Sequence, residues 1–302
     1  EEAHICTVFE KKGILHKIDM HFRKNKTKGI AIDGVPIRKA SELFGLIHFV
    51  FFSPEDLSII KNGPAERRHF LDSELCQLDK VYLYQLSNYN KVVLQRNKLL
   101  KELYLHPDYR EVLDVLDMQL VQYGSALIQR RQTFAEELGE IVHRIHSQLS
   151  GGQEEMELKY EPNVTVDAFA QMLFANRERD MRLKTTATGP HRDDISFVVN
   201  GVDIRKFGSQ GQQRTAALSL KLSEIELVKR LIGDTPVLLL DDVLSELDSG
   251  RQNYLLNSIE NIQTLITCTG LDEFVNHRFS INRIYKVTDG SVTVENKQEA
   301  DR

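Results

Sequence analysis

The two residues of this chain best suited to chemistry stand side by side. Asp241 and Asp242 follow the apolar run Val237-Leu238-Leu239-Leu240. The run predicts a buried strand, and a carboxylate at its carboxyl end suits holding Mg2+ beside nucleotide phosphates, through water. Asp242 points elsewhere, because side chains alternate along a strand. There it is placed to accept a hydrogen bond from an attacking water. Adjacent carboxylates at a buried strand end repel one another and lose hydration unless a cation neutralises them. No basic residue lies next to them in sequence.

A second polar stretch, Ser209-Gln210-Gly211-Gln212-Gln213-Arg214, opens the helix-forming run from Thr215 to Leu222. Gly211 permits close backbone approach, and a helix N-terminus offers free N–H groups and a favourable dipole to a phosphate. Directly behind the aspartates lies a further polar loop, Ser245-Glu246-Leu247-Asp248. Far upstream, Phe49-Val50-Phe51-Phe52 reads as a strand covered on both faces. Ser53 can cap the helix after it, with Pro54 at the first position and Glu55 and Asp56 in the first turn. A strand ending in a polar turn at a helix start is where α/β folds place ligands, although a cap alone needs no function.

The elements that must position these groups are legible in outline. Residues 1–52 alternate roughly at period two and read as β-rich, with Asp33-Gly34 as a hairpin turn. From Asp56 to about Ser150 the apolar spacing is helical. Leu86 to Leu105 and Val112 to Leu149 read as long helices broken at His106-Pro107. Val166 to Leu183 reads as one further helix, followed by the polar turn Thr188 to Asp194 and a hairpin closed by Asn200-Gly201. In that turn a salt-bridged structural role and a phosphate-facing role for His191-Arg192 stand even. The doublets Arg67-Arg68 and Arg130-Arg131 read as solvent-facing surface. His143 and His146 have no third ligand in view, so a metal there is not expected.

Composition sets limits. No apolar stretch approaches about 18 residues, so no membrane span is expected. Three scattered cysteines without a C-x-x-C support neither a disulfide framework nor a zinc site, and favour a reducing cytosol. A net charge of −5 does not exclude nucleic acid, because local patches set the field that a phosphate backbone meets.

The motifs SQGQQR, TAALSLKLSE and PVLLLDDVLSELD together resemble the RecF family of bacterial recombination mediators. The match extends to Phe52–Leu57, Arg67–Asp72 and Gly189–Asp194, and so covers nearly the whole chain. The resemblance implies an α/β fold: an ABC-type, SMC-like P-loop ATPase head with a mixed sheet and an inserted, mostly helical lobe. It divides the chain into a head (1–60 and 185–302) and a lobe (61–184). It implies that Asp241 is the Walker B residue holding Mg2+ through water and that Asp242 takes the catalytic carboxylate's place. Ser209, Gln210, Gly211, Gln212, Gln213 and Arg214 become the signature loop, serving the partner subunit's nucleotide. Ser245, Glu246, Leu247 and Asp248 become the D-loop, and Ser53, Glu55 and Asp56 fall at the Q-loop. Thr269 is the candidate for the sensing position after the next strand.

The resemblance further implies an ATP-dependent homodimer that clamps DNA, with a weak DNA-dependent ATPase. It acts in replication and repair, including the response to DNA damage, with RecR and RecO, so that RecA loads at gapped DNA and single/double-strand junctions. Such a protein is cytoplasmic and nucleoid-associated. The family's phosphate-cradling G-x-x-x-x-G-K-[ST] is absent, since no Gly is followed by Lys. With no Met at position 1, the expectation is a RecF-like chain lacking its N-terminal strand and P-loop. Candidate DNA contacts are Arg23, Lys24, Lys26 and Lys28 at a hairpin tip, and Arg177, Arg179 and Arg182 on the helix. Leu149-Ser150-Gly151-Gly152-Gln153 spells the string best known from cassette signatures. It follows a helix, however, where a Gly pair serves as a stop. Competing readings are a cassette ATPase of another class, such as a transporter subunit, and a non-hydrolysing DNA- or protein-interaction module.

Overall fold

The computed structural model describes residues 2–102, 110–268 and 283–295. It begins with an antiparallel meander of β1 (Glu2–Lys11), β2 (Ile14–Arg23), β3 (Gly29–Ile32) and β4 (Val35–Ile37). Asp33 and Gly34 both take positive φ at the β3–β4 turn, as a tight hairpin requires. β5 (Phe49–Phe52) then leads through a single 3-10 turn into α1 (Leu57–Lys61).

The helical middle follows: α2 (Pro64–Leu78), α3 (Lys80–Glu102) and the 40-residue α4 (Arg110–Leu149). The expected break at His106-Pro107 lies outside the described residues. α3 starts at Lys80 because Asp79 caps it, its Oδ1 accepting from the N–H groups of Val81 and Tyr82. β6 (Met156–Glu161) comes next, then α5 (Phe169–Ala175) and α6 (Arg177–Leu183). The single helix expected over Val166–Leu183 is therefore two, parted at Asn176, whose side chain reaches back to Thr188.

β7 (Asp194–Val199) and β8 (Val202–Asp203) form the hairpin closed by Asn200 and Gly201. β7 also pairs with β6, so this sheet straddles residue 184. The chain continues through α7 (Ile204–Phe207), α8 (Gln210–Ile232), β9 (Val237–Asp241), α9 (Ser249–Ser258), β10 (Thr264–Thr267) and the hairpin β11 (Ile284–Thr288) with β12 (Ser291–Glu295). β9 is the centre of a parallel sheet in the order β10-β9-β5.

Among the described residues that sheet is covered on one face only. Val50, Phe52, Leu238 and Leu240 are buried, but Phe51 is 47% exposed, and Leu265, across β9 from it, is exposed too. The expectation that Phe49–Phe52 is covered on both faces does not hold among the described residues. β5 lies at the sheet edge, and no described element covers the Phe51 side. The covered side faces α8, which is buried along most of its length. Its polar residues close on their own helix: Thr215, Ser219 and Ser223 each donate to the carbonyl four residues earlier.

One arginine of each basic doublet lies in the core, and Arg68 and Arg130 are half-buried. Arg67 and Arg131 are each 1% exposed. Arg67 forms a bidentate pair with Asp194. Arg131 donates to Asp193, Asp72, the Tyr82 hydroxyl and the Pro190 carbonyl. An arginine loses little on burial when a planar fork meets carboxylates and carbonyls arranged to receive it. The Gly189–Asp194 turn is thus structural: its two aspartates hold two arginines from α2 and α4. Burial pushes the His191 imidazole down to about 4. As a neutral ring it sits between the Tyr89 hydroxyl and the Thr186 carbonyl. Gly189 (φ +134) admits no side chain, since a Cβ would lie 2.3 Å from the Tyr89 hydroxyl oxygen.

Candidate nucleotide site

β9 carries Asp241 to the end of the parallel sheet, where its carboxylate is exposed. Thr267 is its register partner on β10 and donates its hydroxyl to Asp241 Oδ1. The next residue leaves the strand sharply. Asp242 has φ +50, and its N–H lies 3.1 Å from the Thr267 carbonyl and 3.2 Å from the Thr267 hydroxyl. Among non-glycine residues Asp and Asn reach this region most readily, so the turn costs least with the residue present. Beyond this turn Asp242 Oδ1 is buried without a hydrogen-bond partner among the described residues. A buried carboxylate oxygen left bare costs on the order of 1–3 kcal/mol or more. That oxygen calls for a donor from a ligand, a water or a hydrated cation.

This arrangement fits a magnesium site of modest protein content. Among the described residues no group of three or more His, Cys, Asp or Glu could hold a metal ion alone. One exposed carboxylate is, however, what Mg2+ takes when waters and phosphate oxygens complete its octahedron. Bound there, the ion would neutralise phosphate charge; Asp241 would hold it, and Asp242 would keep an acceptor oxygen nearby.

Thr267 was not singled out from the sequence. Its signal was the apolar run Leu265-Ile266 ending in a hydroxyl residue at the same edge as Asp241. The expected sensor, Thr269, lies outside the described residues.

The stretch Ser209–Arg214 forms the start of α8. Ser209 is the N-cap: its Oγ accepts from the Gln212 N–H, and the Gln212 side chain accepts from the Ser209 N–H at 2.9 Å. This reciprocal box fixes the loop. Ser209, Gln210, Gly211 and Arg214 are exposed, but Gln213 is not. Its Nε2 donates to the Ile204 carbonyl, so Gln213 braces the loop from inside instead of facing a ligand.

The remaining site residues surround this pair. The Ser245 hydroxyl donates to the Asp242 carbonyl at 2.8 Å. Asp248 caps α9, and its carboxyl is held below the usual range chiefly by the Arg251 N–H. Arg251 also donates to the Thr215 hydroxyl at 2.6 Å, tying the loop after the aspartates to α8. A small cleft of about 30 Å3 brings Ser53 and Leu57 together with Arg214 and Ala217 of α8 and with Val243 and Leu247.

Ser53 donates its N–H to Asp56 Oδ2, while Glu55 is exposed. Behind this cap lies a buried charge cluster that sequence spacing did not reveal. Asp56 Oδ1 is 3.9 Å from Lys221 Nζ, which is 2.6 Å from Glu224, and Glu74 closes the group. Burial pushes Glu74 up to about 7 and raises Glu224 well above the carboxylate range. Burial opposes the charge on Lys221, but Glu224, Asp56 and Glu74 outweigh it and hold the ammonium above its usual range.

No family model matches the chain. It is 60% identical over 294 residues to the DNA replication and repair protein RecF of Agathobacter rectalis, spanning 97% of this chain and 81% of that protein. The RecF of Lachnospira eligens is also 60% identical, over 298 residues, and that of Clostridium kluyveri is 44% identical over 299. The chain belongs to the RecF family.

Solved RecF structures agree with this fold. A structure of the recombination mediator protein RecF-ATPrS in the RecFOR pathway superposes with a TM-score of 0.88 at 33% identity, over 97% of this chain and 80% of that one. The RecF-ATP structure of the same pathway gives 0.85 at 34% identity. An Smc head bound to the C-winged helix domain of ScpA gives 0.51 at 13% identity and shares the fold alone. The head is thus of the ABC type found in RecF and SMC proteins, and no helix among the described residues is long and apolar enough to cross a membrane.

Of the basic residues considered for DNA, Arg23, Lys24, Lys26 and Lys28 are exposed at the β2–β3 turn, as are Arg179 and Arg182 on α6. Arg177 is committed elsewhere. It pairs with Asp114 and Asp117 and lies over the Phe174 ring.

Proposed function

We propose that this RecF-family chain supplies the cation-holding and partner-facing parts of an ATP-dependent DNA clamp. Residues 1–60 and 185–302 form the head and 61–184 the helical lobe. One observation carries the reading: Asp242 presents a buried, unbonded carboxylate oxygen at the strand end where Asp241 and Thr267 meet. Asp241 holds Mg2+ through water, and Asp242 orients the water that attacks the γ-phosphate. Ser209, Gly211 and Arg214 face the nucleotide of a second copy, so two heads sandwich two ATP molecules in a two-fold dimer. The Ser245–Asp248 turn lies at that same face, and Ser53–Asp56 sits beside its own nucleotide.

The clamp closes on duplex DNA or on junctions with single strands. It works with RecR and RecO, in the cytoplasm at the nucleoid, so that RecA loads at gaps and damage. Two RecF structures solved with ATP or an analogue support the nucleotide. The 302 residues contain no Gly-Lys pair, so the phosphate cradle is not among the parts supplied here.

The test compares this chain with a form carrying a G-x-x-x-x-G-K-[ST] segment upstream, titrated with ATP and Mg2+ and followed by light scattering. The longer form should bind ATP and become dimeric. If it binds no nucleotide, or stays monomeric when saturated, the clamp reading fails. In that form Arg214→Ala should weaken dimerisation more than monomer ATP binding; equal losses would remove Arg214 from the partner-facing set.

A further inference from the structure

Leu149–Gln153 spells a signature string that the site does not use, yet its geometry sets up a contact with the loop that the site does use. α4 ends at Leu149. Gly151 and Gly152 take φ +63 and +78, and the Gly152 N–H donates to the Ser147 carbonyl at 2.7 Å. This turn reverses the chain and returns Glu154 against both the last turn of α4 and the first turn of α8.

The Glu154 carboxylate divides its oxygens between two elements. Oε1 accepts from Gln212 Nε2 at 2.9 Å, and Oε2 lies 3.1 Å from His146 Nε2. His146 is fully buried on α4, and its Nδ1 lies 3.0 Å from Ser219 Oγ on α8. Gln212 is held at both ends, its oxygen by the Ser209 N–H and its nitrogen by Glu154. Two turns of α8 are therefore joined to the end of α4 through one carboxylate and one imidazole. Deleting the carboxylate strands the Gln212 amide and the buried imidazole together.

We infer that Glu154 is the positioning residue of the Ser209–Arg214 loop, and that through it the 40-residue helix α4 and that loop hold a common alignment. A displacement of α4 then reaches the face offered to the partner's nucleotide. The inference rests on reading Ser209–Arg214 as the partner-facing loop.

The experiment uses the form of this chain that carries a G-x-x-x-x-G-K-[ST] segment upstream, and measures monomer ATP affinity, the midpoint of ATP-driven dimerisation and the melting temperature. Glu154→Ala should weaken dimerisation about tenfold, as expected for one charge-assisted hydrogen bond, with monomer ATP affinity within about twofold. Glu154→Gln keeps an acceptor for Gln212 and should recover most of the loss. Glu154→Ala combined with Gln212→Ala should lose no more than the worse single variant, because one contact is removed twice.

Additive losses, or a loss in Glu154→Ala that only follows its melting temperature and is not recovered by Glu154→Gln, would overturn the inference. If Glu154→Ala does not fold, the same cycle is run with Glu154→Leu, which fills the space without an acceptor, and Gln212→Ala, and additivity decides against the inference. Gly211→Glu separates this failure from failure of the underlying reading. If Gly211→Glu leaves dimers intact, the loop does not face a partner and both ideas fall. If it abolishes dimers while Glu154→Ala leaves them unchanged, only the positioning role falls.

Discussion

Thr267 serves both aspartates at once: its hydroxyl donates to the Asp241 carboxylate, and its carbonyl accepts the N–H of Asp242. The pairing of β10 with β9 therefore sets the direction in which each carboxylate points. Thr267→Val keeps the strand and removes the donor. In the form carrying the upstream G-x-x-x-x-G-K-[ST] segment it should raise the Mg2+ concentration needed for half-maximal ATP hydrolysis by about three- to tenfold, as one hydrogen bond allows. Thr267→Ser should restore it. Magnesium titrations at saturating ATP decide this, and an unchanged Mg2+ dependence would exclude Thr267 from the site.

Asp242→Asn removes the acceptor charge and keeps a residue tolerant of φ +50. Hydrolysis should fall about 100-fold or more, in the range lost with a general base, while ATP-driven dimers persist. Phosphate release and light scattering on one preparation measure both. Loss of the dimers would contradict the assigned role.

Arg131→Leu leaves Asp193 without a cationic partner in the core and unpairs Asp72. Breaking one side of a buried pair costs about 3–5 kcal/mol. A fall of that size in unfolding free energy, read from urea denaturation, is expected. A change below about 1 kcal/mol would show that the network contributes little.

The buried Glu74 gives stability a pH window. Its folded value, about 7, lies above the ordinary 4.5, so its protonated form is favoured in the folded state. That contribution is complete below about pH 4.5 and is lost as pH rises towards 7. Glu74→Gln cannot ionise, and relative to it the parent should lose about 2–3 kcal/mol between pH 5 and 8. His191, held near 4, works in the opposite direction. Its contribution is complete above about pH 6.5 and is lost as pH falls towards 4. Melting temperatures across pH 4–8 for the parent, Glu74→Gln and His191→Gln resolve the two slopes. A parallel profile for Glu74→Gln would refute the buried-acid assignment.

Charge reversal at Lys24, Lys26 and Lys28 together should reduce the slope of log affinity against log salt for duplex DNA by about two to three. Arg177→Glu should instead lower the melting temperature, because its partners are Asp114 and Asp117. An unchanged salt slope in the triple variant removes the β2–β3 turn from the DNA surface.

Much of the site was legible because its signals are local. Four apolar residues before Asp241, the polar Gly-containing stretch that opens α8, Asn200-Gly201 and the Gly151-Gly152 stop each carry their own instructions within a few residues. What was missed depends on distant partners. Nothing near Arg131 announces Asp193, so the basic doublets looked like surface, and nothing near Lys221 announces Glu74. Thr267 gained its role from a register that exists only once β9 and β10 pair. Gln213 looked like its neighbours until helix phase turned it inward. Phe51 looked buried because an apolar run gives no count of the layers above it.

The positive φ at Asp242 has a genetic consequence. Asn suits that backbone almost as well as Asp, and a single base change converts one codon to the other. The resulting chain would fold, escape the proteolysis that removes misfolded protein, and still find a partner. In a cell carrying both alleles, the mixed pairs it enters would close and fail to reopen on schedule. A substitution that the backbone at Asp242 accepts is thus one that would act dominantly.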